Sequence, residues 1–320
     1  MYSGKTPVMI NWTVGERNLR HCLRTAKVST IISASQLVGR LGRYGINADR
    51  LAVDWFLLDR RAAAMSFTRK LTGVVQARFM PRRLAATPIS ETAVILFTSG
   101  SEAAPKVVPL SHRNIMANLA DFAEAITFTR GDRLLGMLPP FHSLGFSGTQ
   151  VMPLCLGLPT AYQPDPTQGA QIAAMVDDFA ITVTVGTPAF IKNMMHAAHP
   201  GALTSLRLVF TGAEACPADV YRQFQHHCPD AVLCEGYGIT ECSPLVSINN
   251  PEQPRPGTIG RVMPSMETLI VHPETHEVLA PGERGMLLVA GPNVFAGYGG
   301  GHDSSPFVYL LGKQWYKTGC

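Results

Sequence analysis

Residues 94–106 read VILFTSGSEAAPK and carry the strongest signal in the sequence. An apolar, β-branched run, typical of a strand, leads into a loop that begins with Thr98, Ser99, Gly100 and Ser101, and Lys106 follows. Hydroxyl and loop N–H groups can donate hydrogen bonds, glycine lets the backbone approach a ligand, and lysine supplies positive charge. The loop therefore suits phosphate. It lacks the GxxxxGK[ST] spacing of a Walker A loop, and in isolation an ordinary Ser/Thr-rich turn explains it better.

Three further loops follow predicted strands. They read LPPFHS at 138–143, VFTGAE at 209–214 and LCEGYGITE at 233–241. Because open parallel sheets bind ligands at the carboxyl ends of their strands, all four loops are expected to converge on one crevice. Taken singly, each has an ordinary structural explanation, since a lone histidine such as His142 is more often structural or exposed.

The loop at 233–241 combines several useful side chains. Gly236 and Gly238 leave room for a flat ring against the backbone, and Tyr237 can stack on that ring. Thr240 can donate a hydrogen bond to a phosphate oxygen, and the carboxylate of Glu241 can hold Mg²⁺.

The wider pattern predicts an α/β fold, with short apolar runs that alternate with amphipathic stretches. The predicted strands are Pro7–Asn11, Thr30–Ser33, Ala93–Thr98, Arg133–Met137, Thr182–Gly186, Arg207–Thr211 and Ala231–Glu235. The predicted helices are Ser111–Ala125, Gly169–Phe179, Pro188–Ala198 and Pro217–His227. We expect a layered body around a mainly parallel sheet.

The composition and the hydrophobic pattern of the sequence change after about residue 245. Asn249–Pro264 is rich in Pro, Gly and Asn, and Met266–His272 and Gly285–Ala290 then alternate as strands, with a turn at Pro281-Gly282. We therefore expect an α/β core over residues 1–250 and a β-rich subdomain over 251–320.

Composition excludes several classes of protein. The 320 residues are 46% hydrophobic and 16% charged, which excludes bulk disorder, and a net charge of +4 is too small to indicate nucleic-acid binding. The seven cysteines include no Cys-x-x-Cys pair, which favours a reduced, cytoplasmic protein. The N-terminus shows no signal peptide, and no stretch of about 18 uninterrupted apolar residues predicts a spanning helix.

Taken in order, TSGSEAAPK, PPFHSLG, TGAE, EGYGITE, GERGMLLVAGPNVFAGY and the final WYKTG resemble the adenylate-forming enzymes. This family includes acyl-CoA synthetases, acyl-carrier-protein synthetases, luciferases and the adenylation domains of peptide synthetases. The resemblance covers nearly the whole chain. TSGSEAAPK and HRNIMANL are most similar to the bacterial acyl-carrier-protein synthetase module that is often fused to a 2-acylglycerophosphoethanolamine acyltransferase.

The resemblance implies a role for each matched residue. The residues that would cover the β- and γ-phosphates of ATP are Thr98, Ser99, Gly100, Ser101 and Lys106. Those that would frame the adenine are Gly212, Ala213, Glu214, Glu235, Gly236 and Tyr237. Thr240 would touch the α-phosphate, Glu241 would bind Mg²⁺, and His142 would sit beside the acyl carboxylate.

The family reaction is attack of a carboxylate on the α-phosphorus of ATP, giving acyl-AMP and pyrophosphate, followed by transfer to a thiol. The implied substrate is a fatty acid, and Phe146, Val151 and Met152 suit its tail or are plain core. The thiol would belong to coenzyme A or to the phosphopantetheine of an acyl-carrier protein. The implied location is cytoplasmic, with a peripheral contact between the parent protein and the inner membrane.

The sequence departs from the family pattern in two places. Ala103 and Val107 stand where the family usually has glycines, and Cys320 stands where an aspartate binds the ribose hydroxyls, which a thiol cannot replace. Both ends look abrupt, so we expect a piece of a longer ligase that forms negligible acyl-AMP alone. The alternatives are a non-catalytic nucleotide- or acyl-binding remnant and adenylation of an amino or aryl acid. Residues 141–150 contain no acid for an α-ammonium group.

Overall fold

A computed structural model describes residues 4–80, 86, 88–98, 104–300 and 305–320. The chain forms two compact units. Unit 1 comprises Met1–Ser111 and Tyr298–His302, and unit 2 comprises His112–Gly297 and Asp303–Cys320. The boundary expected at residue 250 stays a prediction.

Unit 1 contains two small sheets and several helices. The strands are β1 (Thr30–Ser33), β2 (Asp54–Leu57), β3 (Thr92–Phe97) and β4 (Val107–Ser111). The helices are α1 (Gly15–Thr25), α2 (Ser35–Arg40), α3 (Leu58–Ala64) and α4 (Phe67–Phe79), with 3-10 turns at Trp12–Val14, Leu41–Tyr44 and Ala48–Arg50. β1 and β2 are parallel, whereas β3 and β4 form an antiparallel pair. Leu19 and Leu23 of α1 pack with Leu41, Ile46 and Leu51 in the core beside β1.

The strand predicted over Pro7–Asn11 is reduced to a single parallel bridge between Val8 and Ile95. Met9 N donates to Ile95 O, and Ile95 N donates to Pro7 O. The ladder stops there because the side chain of Asn11 accepts a hydrogen bond from Thr13 N and starts a 3-10 turn. The strand prediction was therefore too long.

Unit 2 is built on a seven-stranded mixed sheet. Its strands are β5 (Leu134–Gly136), β6 (Thr160–Tyr162), β7 (Val183–Gly186), β8 (Leu208–Thr211), β9 (Val232–Gly238), β10 (Leu245–Ile248) and β11 (Arg261–Val262). Their order across the sheet is β11-β10-β9-β8-β7-β5-β6. The pairs among β5 to β9 are parallel, and β10 and β11 are antiparallel additions at one edge.

Helices cover the sheet. They are α5 (His112–Ala125), α6 (Ser143–Gly145), α7 (Met152–Leu156), α8 (Gly169–Asp178), α9 (Pro188–Ala197) and α10 (Ala218–His227), with a π-helix at Phe146–Val151. Thr187 caps α9 by accepting a hydrogen bond from Phe190 N, and Pro188 occupies the first turn, where its missing N–H costs nothing. Ile172, Ile191 and Phe224 from α8, α9 and α10 are buried in one core with strand residues such as Val209.

A smaller antiparallel sheet follows in the sequence. Its strands are β12 (Glu267–Val271), β13 (Met286–Ala290), β14 (Phe307–Leu310) and β15 (Lys313–Lys317), in the order β12-β13-β15-β14. Val271, Leu288 and Trp315 form its core. The predicted fold class is thereby confirmed: an α/β body with a mainly parallel sheet and a small β-rich part. Among the described helices, none has the length and apolar character needed to cross a membrane.

Candidate active site

The loops after β8 and β9 lie side by side in unit 2. The two strands are parallel and in register, with Thr211 opposite Glu235. A side chain at Gly212 would place its Cβ 2.9 Å from the carbonyl oxygen of Gly236, so glycine is required for this approach. Ala213, with a φ of 72°, turns the chain away from the strand. The sequence thus brings TGAE and EGYG together at the carboxyl edge of the sheet.

The carboxylate of Glu235 ties these two loops together. Its Oε1 accepts from Cys216 N and its Oε2 from the Tyr221 hydroxyl, both at 2.9 Å. Burial, followed by the charge of Glu235, raises the pKa of the Cys216 thiol to about 12. Burial and the hydrogen bond to Glu235 also raise the pKa of the Tyr221 phenol. Glu235 therefore holds the loop after β8 against β9.

The PPFHS loop meets the turn that contains Thr240 and Glu241. The Thr240 hydroxyl donates to Ser143 Oγ at 3.4 Å, and the Ser147 hydroxyl donates to Ser243 O at 2.9 Å. Three of the four predicted motif loops, all in unit 2, are thus neighbours. Ser143 and Ser147 were missed in the sequence, although Ser143 directly follows His142.

His142 lies beside the ring of Phe141, with 4.9 Å between ring centroids. The residue retains an exposed surface, and partial burial of its ring lowers the imidazole pKa below its ordinary value of 6.5. This shift favours the neutral form of the imidazole. A neutral imidazole can donate or accept a hydrogen bond beside a carboxylate without forming an ion pair with it.

Glu241 lies in the 3-10 turn Thr240–Cys242 and is 7% exposed. Phe295 N donates to its backbone oxygen at 2.8 Å. Across the described ranges, no group of three or more His, Cys, Asp or Glu side chains could hold a metal by itself. One carboxylate still fits Mg²⁺, which commonly binds one or two protein carboxylates and takes its other ligands from water and substrate phosphates.

Buried asparagine side chains fix Leu245, just after this turn, and the segment that leads to Phe295. Asn118 of α5 donates to Leu245 O at 2.7 Å and accepts from Leu245 N at 3.2 Å. Asn293 also donates to Leu245 O, and Asn114 donates to Pro292 O and Val294 O. The HRNIMANL sequence contains both α5 amides, but their partners lie far away along the chain.

The hydroxyl of Thr211 offers a test of whether a polar ligand fits here. The residue is 2% exposed, and its Oγ1 has no hydrogen-bond partner among the described residues. Buried hydroxyl groups are normally hydrogen-bonded. An unsatisfied hydroxyl at the carboxyl end of β8, directly before Gly212, is consistent with a nucleotide that supplies the partner.

The last motif of the chain also lies in this region of unit 2. Burial, followed by the neighbouring Cys320, raises the pKa of the Tyr237 phenol. Cys320 O accepts from Leu287 N, and Cys320 N donates to Thr318 Oγ1. The end of WYKTG is thus held beside EGYG, and the Cys320 thiol that follows it is exposed.

The phosphate-loop residues belong to unit 1. Lys106 N donates to Thr98 Oγ1 at 3.0 Å, and Thr98 N donates to Lys106 O. The Thr98 hydroxyl therefore already fixes the backbone of Lys106. Ser99, Gly100 and Ser101 lie outside the described residues.

Solved structures share the fold over nearly the whole chain. A long-chain-fatty-acid-CoA ligase from Archaeoglobus fulgidus superimposes with a TM-score of 0.76 at 21% identity, covering 98% of this chain and 64% of that one. O-succinylbenzoate coenzyme A synthetase from Bacillus subtilis, solved in complex with ATP and magnesium ion, gives 0.74 at 18% identity, covering 98% and 61%.

Curated relatives are more similar in sequence. A long-chain-fatty-acid–CoA ligase of Bacillus subtilis (strain 168) is 32% identical over 241 residues, covering 72% of this chain and 42% of that protein. An indoleacetate–CoA ligase of Aromatoleum aromaticum is 31% identical over 232 residues, covering 71% and 44%. The chain spans about half the length of the curated relatives it matches.

The family model described as AMP-binding enzyme matches residues 1–299. That range includes each motif named above except the terminal WYKTG. The chain therefore belongs to the AMP-binding enzyme family.

Proposed function

We propose that this chain supplies the nucleotide- and acyl-binding part of an ATP-dependent ligase that joins a fatty acid to a thiol through acyl-AMP. The observation that carries the proposal is the contact among three motif loops in unit 2, with Thr240 bonded to Ser143 and Gly212 against Gly236. Membership of the AMP-binding enzyme family supports the assignment of adenylate chemistry to these loops.

The residues divide the work by chemical type. Gly212, Ala213, Glu214, Gly236, Tyr237 and Gly238 frame the adenine, and Glu235 fixes the two loops that do so. Thr240 donates to the α-phosphate, and Lys106 and Thr98 serve the β- and γ-phosphates with Ser99, Gly100 and Ser101. Glu241 holds Mg²⁺, which neutralises phosphate charge when it is bound. His142 orients the attacking carboxylate, and the lowered pKa of its imidazole disfavours an ion pair that would trap that carboxylate.

The acyl tail is assigned to the helical segment after His142. Phe146 and Met152 are buried there, around the π-helix Phe146–Val151. π-helical turns frequently occur at functional sites. A fatty acid that enters beside His142 would extend along this segment.

A second candidate is adenylation of an aryl acid, which is favoured by relatives named as anthranilate– and 4-coumarate–CoA ligases. ATP–pyrophosphate exchange with fatty, aryl and amino acids tests the two. Fatty acids should give the highest exchange rate in the full-length protein that carries this chain. Highest exchange with an aryl acid would support the second candidate, and no exchange with any acid would support a non-catalytic remnant.

The thiol acceptor in our proposal is the phosphopantetheine of an acyl-carrier protein, with coenzyme A as the alternative. The similarity of TSGSEAAPK and HRNIMANL to the acyl-carrier-protein synthetase module supports this choice. Acyl transfer to each thiol at equal concentration distinguishes them. Faster transfer to coenzyme A would contradict our choice.

We extend the proposal to a peripheral contact with an anionic membrane through α3 and α4. Residues 59–80 are all exposed, including Phe67 at 78% and Phe79 at 73%. The basic residues of this segment are Arg60, Arg61, Arg69, Lys70 and Arg78, against one acid, Asp59. Apolar side chains among basic ones suit an anionic lipid surface.

Sedimentation with phosphatidylglycerol vesicles tests this contact. The double variant Phe67→Ala/Phe79→Ala should lower the partition constant for vesicle binding at least tenfold. The reason is that two aromatic side chains no longer move from water into the lipid on binding. Leu311→Ala, which removes a side chain that is 73% exposed in unit 2, is the matched control and should bind like the parent. Equal binding by all three proteins would contradict the assignment.

A further inference from the structure

The ammonium of Lys106 lies over the ring of Tyr298, with Nζ 4.7 Å from the ring centroid. Both residues belong to unit 1. A cation at this distance above an aromatic face is attracted by the negative potential of the ring. Lys106 is exposed, so without such a contact its long side chain would sample many rotamers.

The backbone of Lys106 is fixed on both sides. Lys106 and Thr98 exchange two hydrogen bonds, and the preceding carbonyl of Pro105 contacts His21 Nε2 at 3.2 Å. These contacts fix the backbone of Lys106 but not the conformation of its side chain.

The backbone after Tyr298 is fixed equally firmly. Gly299 N donates to Val107 O at 2.9 Å, and the two residues form an antiparallel bridge. A Cβ at Gly299 would lie 2.9 Å from Val107 Cγ1, and one at Gly300 would lie 2.6 Å from Thr25 Cγ2. The two glycines allow the close approach that sets Tyr298 beside Lys106.

We infer that Tyr298 is a positioning residue, which holds the Lys106 ammonium in place before the phosphates of ATP arrive. The inference rests on the proposed function for the assignment of Lys106 to the β- and γ-phosphates. A lysine that is already ordered loses less conformational entropy when it binds phosphate. Tyr298 acts through Lys106 and need not touch the nucleotide.

Binding of ATP and of AMP to the full chain, measured by calorimetry, tests the inference. Tyr298→Leu should weaken ATP binding about two- to fivefold, the range that corresponds to a cation–π contact at an exposed site. AMP binding should not change, because AMP lacks the two phosphates assigned to Lys106. Tyr298→Phe keeps the ring and should retain most of the ATP affinity.

A double-mutant cycle separates positioning from a general structural role. In a Lys106→Met background, Tyr298→Leu should cause no further loss of ATP affinity. An undiminished loss in that background, a parallel loss of AMP affinity, or no loss in the single variant would each overturn the inference.

The contact itself can be observed without nucleotide. The ε-methylene protons of Lys106 should show a ring-current shift in the parent protein that disappears in Tyr298→Leu. If that shift is present but the parent protein binds no ATP, the proposed function fails while the contact stands. If the shift is absent, the inference fails whatever the protein binds.

Discussion

Glu241→Gln is expected to weaken the binding of ATP in the presence of Mg²⁺ by roughly ten- to a hundredfold. The amide has nearly the shape of the carboxylate but no charge, and Mg²⁺ prefers charged, hard oxygen ligands. Phe295 N bonds the backbone oxygen of Glu241, so that contact survives the substitution. Titration calorimetry with ATP, with and without Mg²⁺, gives the measurement.

Glu235→Gln is the matched control. Glu235 is a second buried carboxylate of the same segment, 5% exposed, and its oxygens are occupied by Cys216 N and the Tyr221 hydroxyl. Its replacement should lower the free energy of unfolding by about 1–3 kcal/mol and leave the Mg²⁺ dependence of ATP binding intact. A Mg²⁺ dependence that survives in Glu241→Gln, or vanishes in both variants alike, would contradict the assignment of the metal to Glu241.

Arg207→Met is expected to destabilise the protein by about 3 kcal/mol, because it leaves a buried charge without its partner. The Asp132 side chain is 1% exposed, and Arg207 Nε donates to its Oδ1 at 2.6 Å. We choose the lower end of the range for buried pairs because the Arg207 side chain is 34% exposed. Chemical denaturation measures the loss.

Arg222→Met, at an exposed position on α10, is the control and should change stability by less than about 0.5 kcal/mol. Equal stability of the two variants would show that the Asp132 charge does not depend on Arg207.

The same pair has a predictable pH dependence. Burial alone would raise the pKa of Asp132, but the hydrogen bonds from Arg207, Thr129 N and Thr182 outweigh it and hold the pKa below the ordinary 3.8. The stabilisation is therefore complete above pH 3.8 and is lost as pH falls through the lower pKa of the folded state. The difference between Arg207→Met and the parent protein should shrink over that acidic range. A difference that stays constant down to acid unfolding would contradict this origin.

Local sequence signals predicted much of the fold. The strand Thr30–Ser33 was predicted with the observed bounds. Helix α9 begins at Pro188, as predicted, because the side chain of Thr187 caps the helix and proline suits its first turn, so the start depends only on neighbouring residues. Seven of the described strands were missed: β2, β4, β6, β10, β11, β14 and β15. Each has only two to five residues, so it carries little periodicity and owes its conformation to neighbouring strands. α3 and α4 were missed as well, and α4 remains exposed along its length.

The candidate site was predictable to the level of its loops. The contact between PPFHS and EGYGITE follows from strands that end at one edge of a sheet. The hydrogen-bond partners of individual side chains cannot be predicted in this way, because those partners are distant in sequence. The carboxylate of Glu235, assigned to the adenine, bonds Tyr221, and Lys106 lies over Tyr298. The roles of the site residues toward ATP remain predictions.

A crystal structure of the chain with an acyl-sulfamoyl adenosine, a stable mimic of acyl-AMP, would test the central proposal most directly. We predict that the adenine lies between residues 212–214 and 235–238, with the sulfamoyl group near Thr240 and the acyl chain entering past His142. Binding of this compound away from those loops, or no binding at all, would contradict the proposal that they form one adenylate site.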